Sequence, residues 1–340
     1  MKSESVSLGV SFRVLVNQES LNMAESVGNV TRHRKAPIVV RIGGAYKLIY
    51  VPVVSGMSLA HHYQRHLARA AHDMDLNVTR MSLLGYFMKF ADDKIIKSYY
   101  PEVAGKVDKK RPCESERAIV EACTVADVGG FLYTDGLVKR TSRFSFSYLV
   151  PALDAVEQGA VGSTPQLHVR FTPGAGKGEQ VPFYNDNSSA LYTATFLLEV
   201  DGISRLDVCH ALTGEPASLG KEEQLKRFEA SVKALIAMLG NLSFGAKRTR
   251  NLPHWRIQSA VVTGALGVSP FVPSSGHSNK YILETLERAE AQKKHDVIKD
   301  YTIAVYNAED LEQGDVKTFN TLEEAVAAVA AWIKKNYFSQ

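Results

Sequence analysis

A short run of basic and hydrogen-bonding side chains at residues 28–35 has the composition of a phosphate-binding loop. It holds Asn29, Thr31, Arg32, His33 and Arg34. The loop lies within residues 26–72, which contain no Asp or Glu, although 36 acidic residues in a chain of 340 would place about five in such a window. Because carboxylates repel polyanions, this depletion favours a surface that binds phosphate.

The same bias recurs in two later stretches. Residues 230–283 contain no acid and carry Lys247, Arg248 and Arg250 in one glycine-led turn, and the shorter acid-free stretch 136–153 carries Arg140 and Arg143. The net charge of only +4 therefore conceals a strongly segregated surface. Chance clustering on solvated faces is the alternative for any single stretch, and it weakens when the three are considered together.

Length and composition limit the class of protein. With 340 residues, 45% hydrophobic and 22% charged, the chain is expected to form a globular protein of one large domain or two. No apolar run approaches the roughly 18 residues of a membrane span, and the start lacks an apolar signal segment, so we expect a cytoplasmic protein without membrane contact. The cysteines Cys113, Cys123 and Cys209 have no C-x-x-C spacing and are expected to be buried or idle thiols.

Hydrophobic periodicity predicts the elements that position the basic residues. Residues 5–16 alternate between apolar and polar side chains, which predicts a strand with one solvated face. Residues 38–42 and 48–54 around Gly43-Gly44 predict a hairpin. A helix should begin after Ser55 and Gly56 with Ser55 as its N-cap, and the free amide groups of its first turn make it a candidate phosphate site.

Further elements are predicted along the rest of the chain. Helices are expected at 81–91, 114–122, 222–239, from 279 and at 322–335, and strands at 131–134, 143–149, 166–171, 190–200, 257–263 and 301–306. A glycine-rich run at 172–178 separates two strands. Without insertions the order is β-α-β-β-α-β, an α+β ferredoxin-like or RNA-recognition fold, whose open sheet face and loops can bind a single strand. The sequence lacks paired RNP-type aromatic motifs, so contacts to the nucleic-acid backbone are the better expectation.

Several blocks, in order, resemble one known family. They are VLVN (14–17), LNMAESVGN (21–29), TRHR (31–34), AP (36–37), VPVVSG (51–56), LAH (59–61), ADVGGF (126–131), RTSR (140–143), QLHVRF (166–171), SSALY (188–192) and GAKRTR (245–250). Together they are similar to the backbone subunit of type I-A CRISPR interference (Cascade) complexes, the DevR-like branch of the RAMP superfamily. The resemblance covers roughly residues 5–263, and the tail beyond residue 264 carries little of it.

The resemblance implies one RAMP-type domain, spanning residues 1–340, that binds guide RNA without catalysis. It implies a modified RNA-recognition core, with a helical insertion at 79–123, a projecting thumb hairpin at about 160–187 and a C-terminal extension at 264–340. It also implies copies that oligomerise along a CRISPR guide RNA, contact other interference-complex subunits, and meet a target DNA strand through guide pairing, with no cofactor or metal. The guide-contacting role would fall on Asn29, Thr31, Arg32, His33, Arg34, Ser55, Gly56, Gln64, Arg140, Arg143, His168, Lys247, Arg248 and Arg250.

Alternatives remain open for individual residues. Arg140 and Arg143 could pair with Asp127 or Asp135 as surface ions, and His168 could be a hydrogen-bonded core histidine. Asn17 and Asn22 could cap turns instead of contacting RNA.

Alternatives also remain open for the function of the whole protein. A RAMP-type ribonuclease could use His33 or Asp127, and a general single-strand binder would work without partners. A metal site at His62 and His66 is disfavoured because Tyr63 replaces the glutamate of the H-E-x-x-H motif, and residues 171–178 do not match a P-loop.

Overall fold

Ten strands form one mixed sheet in the computed structural model, which describes residues 5–170 and 181–339. In chain order, the strands of the described residues are β1 (Ser5–Glu19), β2 (Met23–Val27), β3 (Val30–His33), β4 (Lys35–Ile42), β5 (Ala45–Pro52), β6 (Phe131–Tyr133), β7 (Val138–Arg140), β8 (Phe144–Phe146), β9 (Val150–Pro151), β10 (Gly162–Arg170), β11 (Val181–Glu199), β12 (His254–Gly267), β13 (Ile298–Asn307) and β14 (Lys317–Thr318). The main sheet has the order β14-β13-β12-β1-β11-β3-β2, and β8, β9 and β10 also pair with β11. The β4–β5 and β6–β7 hairpins are separate two-stranded sheets.

Helices connect these strands and cover the sheet. They are α1 (Gly56–Asp73), α2 (Arg80–Leu83), α3 (Asp93–Tyr99), α4 (Pro101–Ala104), α5 (Pro112–Ala122), α6 (Thr124–Gly129), α7 (Leu153–Glu157), α8 (Asp207–Thr213), α9 (Lys221–Gly240), α10 (Tyr281–Lys294) and α11 (Leu322–Ile333), followed by a π-helical turn at Lys334–Phe338. Ser55 caps α1 by accepting a hydrogen bond from the Ser58 amide at 3.3 Å, as the sequence predicts. Among the described helices, none has both the length and the apolarity that a bilayer span requires.

The strand β1 lies at the centre of the fold. It pairs antiparallel with β11 on one side and with β12 on the other. Its apolar side chains, such as Phe12, join a core that includes Tyr63 of α1, Phe228 of α9 and Val329 of α11. These contacts define one helical layer against one face of the sheet, and the chain is a mixed α+β protein, as predicted.

The other face of β1 is also covered, so the predicted solvated face is wrong. Ser7, Ser11 and Arg13 are all buried. The amide of Phe271 donates to Ser7 Oγ and the amide of Gly276 donates to Ser11 Oγ, each at 3.0 Å. The segment that follows β12 therefore closes this face. The alternation in β1 reflects a polar face that pairs with backbone amides instead of with water, and the sheet face expected to bind a single strand is not open here.

Other predicted elements differ in extent or in partners. The helix expected at 81–91 is limited to α2, because the chain turns through positive φ at Gly85, Lys89 and Phe90. The strand expected at 190–200 begins earlier, since β11 pairs with β10 from Arg170↔Val181 to Gly162↔Ser189. The glycine-rich run at 172–178 lies outside the described residues.

The cysteines also differ from the expectation of buried or idle thiols. Cys113 and Cys209 form a disulfide between α5 and α8, and Cys123 is a buried free thiol. Sequence spacing could not reveal the pair, because α5 and α8 are brought together only by the tertiary fold.

Candidate nucleic-acid interface

An open groove of about 1000 Å³ lies where three segments of the chain meet. Its lining residues come from the end of β1, the β2–β3 turn, the β10–β11 hairpin and the turn before β12: Gln18, Ser20, Gly28, Asn29, Thr31, Gln166, His168, Phe183, Asn185, Asn187, Lys247, Thr249, Arg250 and Asn251. Lys247 and Arg250 are the cations of this set, and none of these described residues is acidic. The groove thus combines positive charge with amide and hydroxyl hydrogen-bonding groups.

Residues 20–22 hold the walls of the groove together. The Ala246 amide donates to the Leu21 carbonyl at 2.7 Å, and the Arg34 amide donates to the Asn22 carbonyl at 2.8 Å. The side chain of Asn22 accepts from the Ser55 amide at 2.8 Å. The basic loop, the start of α1 and the Lys247 turn are therefore joined through one short segment. Asn22, for which turn capping was considered, has this bridging role.

Lys247 connects two walls of the groove directly. Its ammonium donates to Asn185 Oδ1 at 2.5 Å, and Asn185 pairs with Thr31 where β11 runs parallel to β3. Partial burial and the nearby charge of Arg250 lower the pKa of Lys247. Two neighbouring cations without a carboxylate in the lining are arranged to attract an anion.

His168 lies on the exposed side of β10 and lines this groove. Its ring stacks on Phe183, which is directly opposite on β11, with ring centroids 5.3 Å apart. The alternative of a core histidine is therefore wrong. The stacked pair gives the groove an aromatic wall.

His33 is the first predicted contact residue that the fold places in the interior. Its Nε2 donates to Glu19 Oε2 at 2.8 Å and its Nδ1 donates to the Arg34 carbonyl at 2.9 Å, with both side chains of the ion pair fully buried. Two acceptors require a doubly protonated ring. Burial alone would lower the pKa of His33, but the hydrogen bond and charge of Glu19 raise it above its usual value. Direct RNA contact by this ring is excluded by its burial, and the residue braces the loop instead.

Arg140 also lies in the interior, so its predicted contact with the guide is wrong. Its guanidinium forms an ion pair with Asp127 and donates through Nε to the Asp127 carbonyl at 2.8 Å, with both side chains fully buried. Asp127 also accepts from Arg227 Nη1 at 2.8 Å. These arginines lower the pKa of Asp127 although burial acts to raise it. The considered Arg140–Asp127 pair therefore exists, but inside the core and not on the surface.

Arg143 and Gln64 are further corrections. Arg143 is 4% exposed and pairs with Asp207, not with Asp127 or Asp135. Gln64 is 5% exposed, and its side-chain amide donates to the Ala60 carbonyl of its own helix at 3.1 Å. Their missing partners were invisible in the sequence because Asp207 is distant along the chain and Gln64 points inward from α1.

The remaining predicted residues border the groove without lining it. Ser55 and Gly56 are buried, and a Cβ on Gly56 would lie 2.7 Å from the Phe146 carbonyl oxygen, so the expected phosphate seat at the start of α1 is tightly packed. Arg32 is exposed on β3, while Arg34 and Arg248 are half-buried. The groove therefore unites Asn29, Thr31, His168, Lys247 and Arg250 of the predicted set.

Sequence reasoning missed most of the uncharged lining. Ser20, Asn185, Asn187 and Asn251 form one hydrogen-bonded group: Asn251 Nδ2 donates to Ser20 Oγ at 3.1 Å, and Ser20 Oγ donates to Asn187 Oδ1 at 2.5 Å. The polar run 185–187 inside a strand was the available signal. No cluster of potential metal ligands occurs among the residues that the structure describes.

Fold and groove define a mixed α+β protein with a cationic, polar groove at one end of its central strands. The chain belongs to a CRISPR-associated family, because the sequence model of the "CRISPR-associated negative auto-regulator DevR/Csa2" family matches residues 10–286. The resemblance drawn from the sequence blocks is thereby confirmed.

Individual relatives agree with this family. The chain is 38% identical over 333 residues to the "CRISPR-associated aCascade subunit Cas7/Csa2 2" of Saccharolobus solfataricus, covering 93% of this chain and 97% of that protein. It is 33% identical to "CRISPR-associated protein Cas7/Csa2 1" of the same organism, covering 94% and 98%. A chain of a "CRISPR RNA-guided surveillance complex, pre-nicking" superimposes with a TM-score of 0.51 at 9% identity, covering 96% of this chain and 99% of that chain, which is a likeness of fold.

Proposed function

We propose that this protein is a non-catalytic subunit of a CRISPR surveillance complex, Cascade, that binds the guide-RNA backbone in the groove and oligomerises along the guide. The observation that carries the proposal is the groove itself, where Lys247 and Arg250 face amide and hydroxyl groups with no acid among the lining residues. Such a site suits phosphates independently of base identity. The names of the S. solfataricus relative and of the fold neighbour support the assembly with other subunits and a target strand paired to the guide.

The sheet supports an RNA-recognition core within a single RAMP-type domain. Between β1 and β12 the chain runs through α1, β8, β11 and α9. In the sheet, β12, β1, β11 and β8 are neighbours with antiparallel pairing, which is the order of a ferredoxin-like β-α-β-β-α-β unit. Residues 79–123 and 264–340 are then an insertion and an extension, and the extension covers the sheet face that simpler RNA-recognition domains leave open.

The β10–β11 hairpin supports the thumb assignment. Its paired strands carry His168 and Phe183 on the groove side, and its base adjoins the β2–β3 turn through the pair Tyr184↔Val30. A hairpin at this position can divide one bound stretch of RNA from the next.

The absence of catalysis is proposed from the state of the two candidate residues of the ribonuclease alternative. His33 donates both ring protons to internal acceptors, and the carboxylate of Asp127 accepts from Arg140, Arg227 and the Ser204 amide. Neither side chain has solvent access for proton transfer to a substrate.

The test is the RNA that the protein carries when purified from its native host. We expect a high absorbance ratio at 260 to 280 nm, loss of the RNA at high salt, and nuclease protection in repeated blocks of equal length. Protein that carries no RNA, or protection without a repeat, contradicts guide-bound oligomers.

Labelled guide and target RNA incubated with and without Mg²⁺ test the alternative. We expect both RNAs to remain intact. Cutting that disappears in the His33→Ala or Asp127→Ala protein, while the folded state is retained, would support the ribonuclease.

A further inference from the structure

The β4–β5 hairpin carries a row of exposed apolar side chains that the proposed groove does not use. In its register Pro37 lies opposite Tyr50, Val39 opposite Leu48, and Arg41 opposite Tyr46. Directly opposed residues of an antiparallel pair project from the same face, and every second residue shares it. These six side chains therefore form one continuous outer face.

This outer face is open to solvent while the opposite face is anchored. Tyr46 is 76% exposed, Tyr50 67%, Val39 62% and Leu48 60%. On the other face Val40 is buried. An isolated two-stranded hairpin that presents two tyrosines and an aliphatic pair is a surface suited to a partner, because single exposed apolar residues are common but contiguous rows are not.

The charge around this face favours an anionic partner. The hairpin lies within residues 26–72, where no Asp or Glu occurs, and it carries Lys35, Arg41 and Lys47. The Arg41 guanidinium carbon lies 5.9 Å from the centre of the Tyr46 ring, so a cation is held beside the aromatic surface. Aromatic rings interleaved with cations bind single-stranded nucleic acid through base stacking and phosphate attraction.

Chain continuity points to the strand held in the groove. Thr31 of β3 lines the groove, and β4 begins at Lys35, directly after β3 and Arg34. An RNA that passes the β2–β3 turn thus reaches the base of the hairpin. A protein partner would have to supply its own acidic rim, whereas RNA supplies a phosphate with every base.

We propose that the outer face of the β4–β5 hairpin is a second RNA-contacting surface, on which bases of the strand leaving the groove stack against Tyr46 and Tyr50. The inference rests on the proposed RNA-binding function. It assigns base contacts to the hairpin and backbone contacts to the groove.

The experiment compares two oligouridines, one of about 6 nucleotides that occupies the groove alone and one of about 16 that extends beyond it. RNA is kept in excess so that each strand carries at most one protein. The variants are Tyr46→Ala with Tyr50→Ala, the ring-preserving pair Tyr46→Phe with Tyr50→Phe, and Leu212→Ala as a matched control, since Leu212 is 62% exposed on α8. Circular dichroism melts verify that each variant is folded.

We expect the double alanine protein to lose about tenfold in affinity for the longer RNA, with an unchanged salt slope and unchanged binding of the shorter RNA. The phenylalanine pair and Leu212→Ala should bind like the wild type. Equal affinity of the alanine protein for the longer RNA overturns the inference, as does an equal loss in the phenylalanine pair. Normal RNA affinity combined with altered sedimentation of the RNA-bound protein would identify a protein interface instead. Failure of the wild type to bind either RNA overturns the proposed function itself.

Discussion

Replacing His33 by alanine should strongly destabilise the protein in a pH-dependent way. The substitution leaves the Glu19 carboxylate fully buried, with the Tyr192 hydroxyl at 2.8 Å and the Leu21 amide at 2.6 Å as its remaining described donors. Removing one partner of a buried ion pair costs about 3–5 kcal/mol, a large part of the roughly 5–15 kcal/mol that stabilises a typical domain.

The pH dependence has a defined sign. The pKa of His33 is raised in the folded state because the hydrogen bond and charge of Glu19, with a smaller contribution from Asp186, outweigh the cost of burial. Its stabilising contribution is therefore complete below the ordinary histidine pKa of about 6.5 and is lost as pH rises through the folded-state pKa. Across this window the native protein should lose up to about 1.4 kcal/mol per pH unit from this group.

Urea unfolding between pH 6 and pH 9 measures this effect. The free-energy difference between wild type and His33→Ala should be largest at pH 6 and should shrink as pH rises. His295→Ala, which changes an exposed histidine after α10, is the control and should follow the wild type. A difference that stays constant over the whole range would refute a charged, paired His33.

Three other outcomes follow from the structure. Asp127→Asn should lower the free energy of unfolding by about 3–5 kcal/mol, seen as a large fall in Tm, because two buried arginines lose their counter-charge. Thiol titration of the unreduced, denatured protein should give one reactive cysteine and three after reduction, and reduction should cost about 4 kcal/mol because the Cys113–Cys209 bridge spans 96 residues. Gly245→Ala should destabilise by about 1 kcal/mol or more and weaken RNA binding, because φ is +89° there and a Cβ would lie 2.7 Å from Leu21, displacing the Lys247 turn. A variant or reduced protein that melts and binds like the native one would contradict the corresponding statement.

Local periodicity was sufficient for the elements whose cores are built from their own pattern. The helix α1, with its Ser55 cap, and the β4–β5 hairpin around Gly43-Gly44 follow from spacing and turn chemistry alone. The strand β1 was correctly placed, but its environment was not. Its second face is covered by Phe271 and Gly276, more than 250 residues away, and no local pattern reports such a partner.

The candidate site was predictable where charge is exposed and unpredictable where charge is paired. Lys247 and Arg250 were found because no acid lies near them in sequence, and they line the groove. His33, Arg140 and Arg143 had the same sequence signature, yet each meets a carboxylate brought to it by the fold. Acid depletion in a sequence window thus identifies a basic segment but cannot separate its solvent-facing cations from its buried ones.

The most direct test of the RNA-binding groove is the salt dependence of RNA affinity in the Lys247→Ala, Arg250→Ala double variant. The logarithm of affinity should fall steeply with the logarithm of salt concentration in the wild type, and the double variant should have a slope smaller by about two, one for each lost phosphate contact. Lys294→Ala, which removes an exposed cation from α10, should leave the slope unchanged. Equal slopes for wild type and double variant would contradict phosphate binding by this groove.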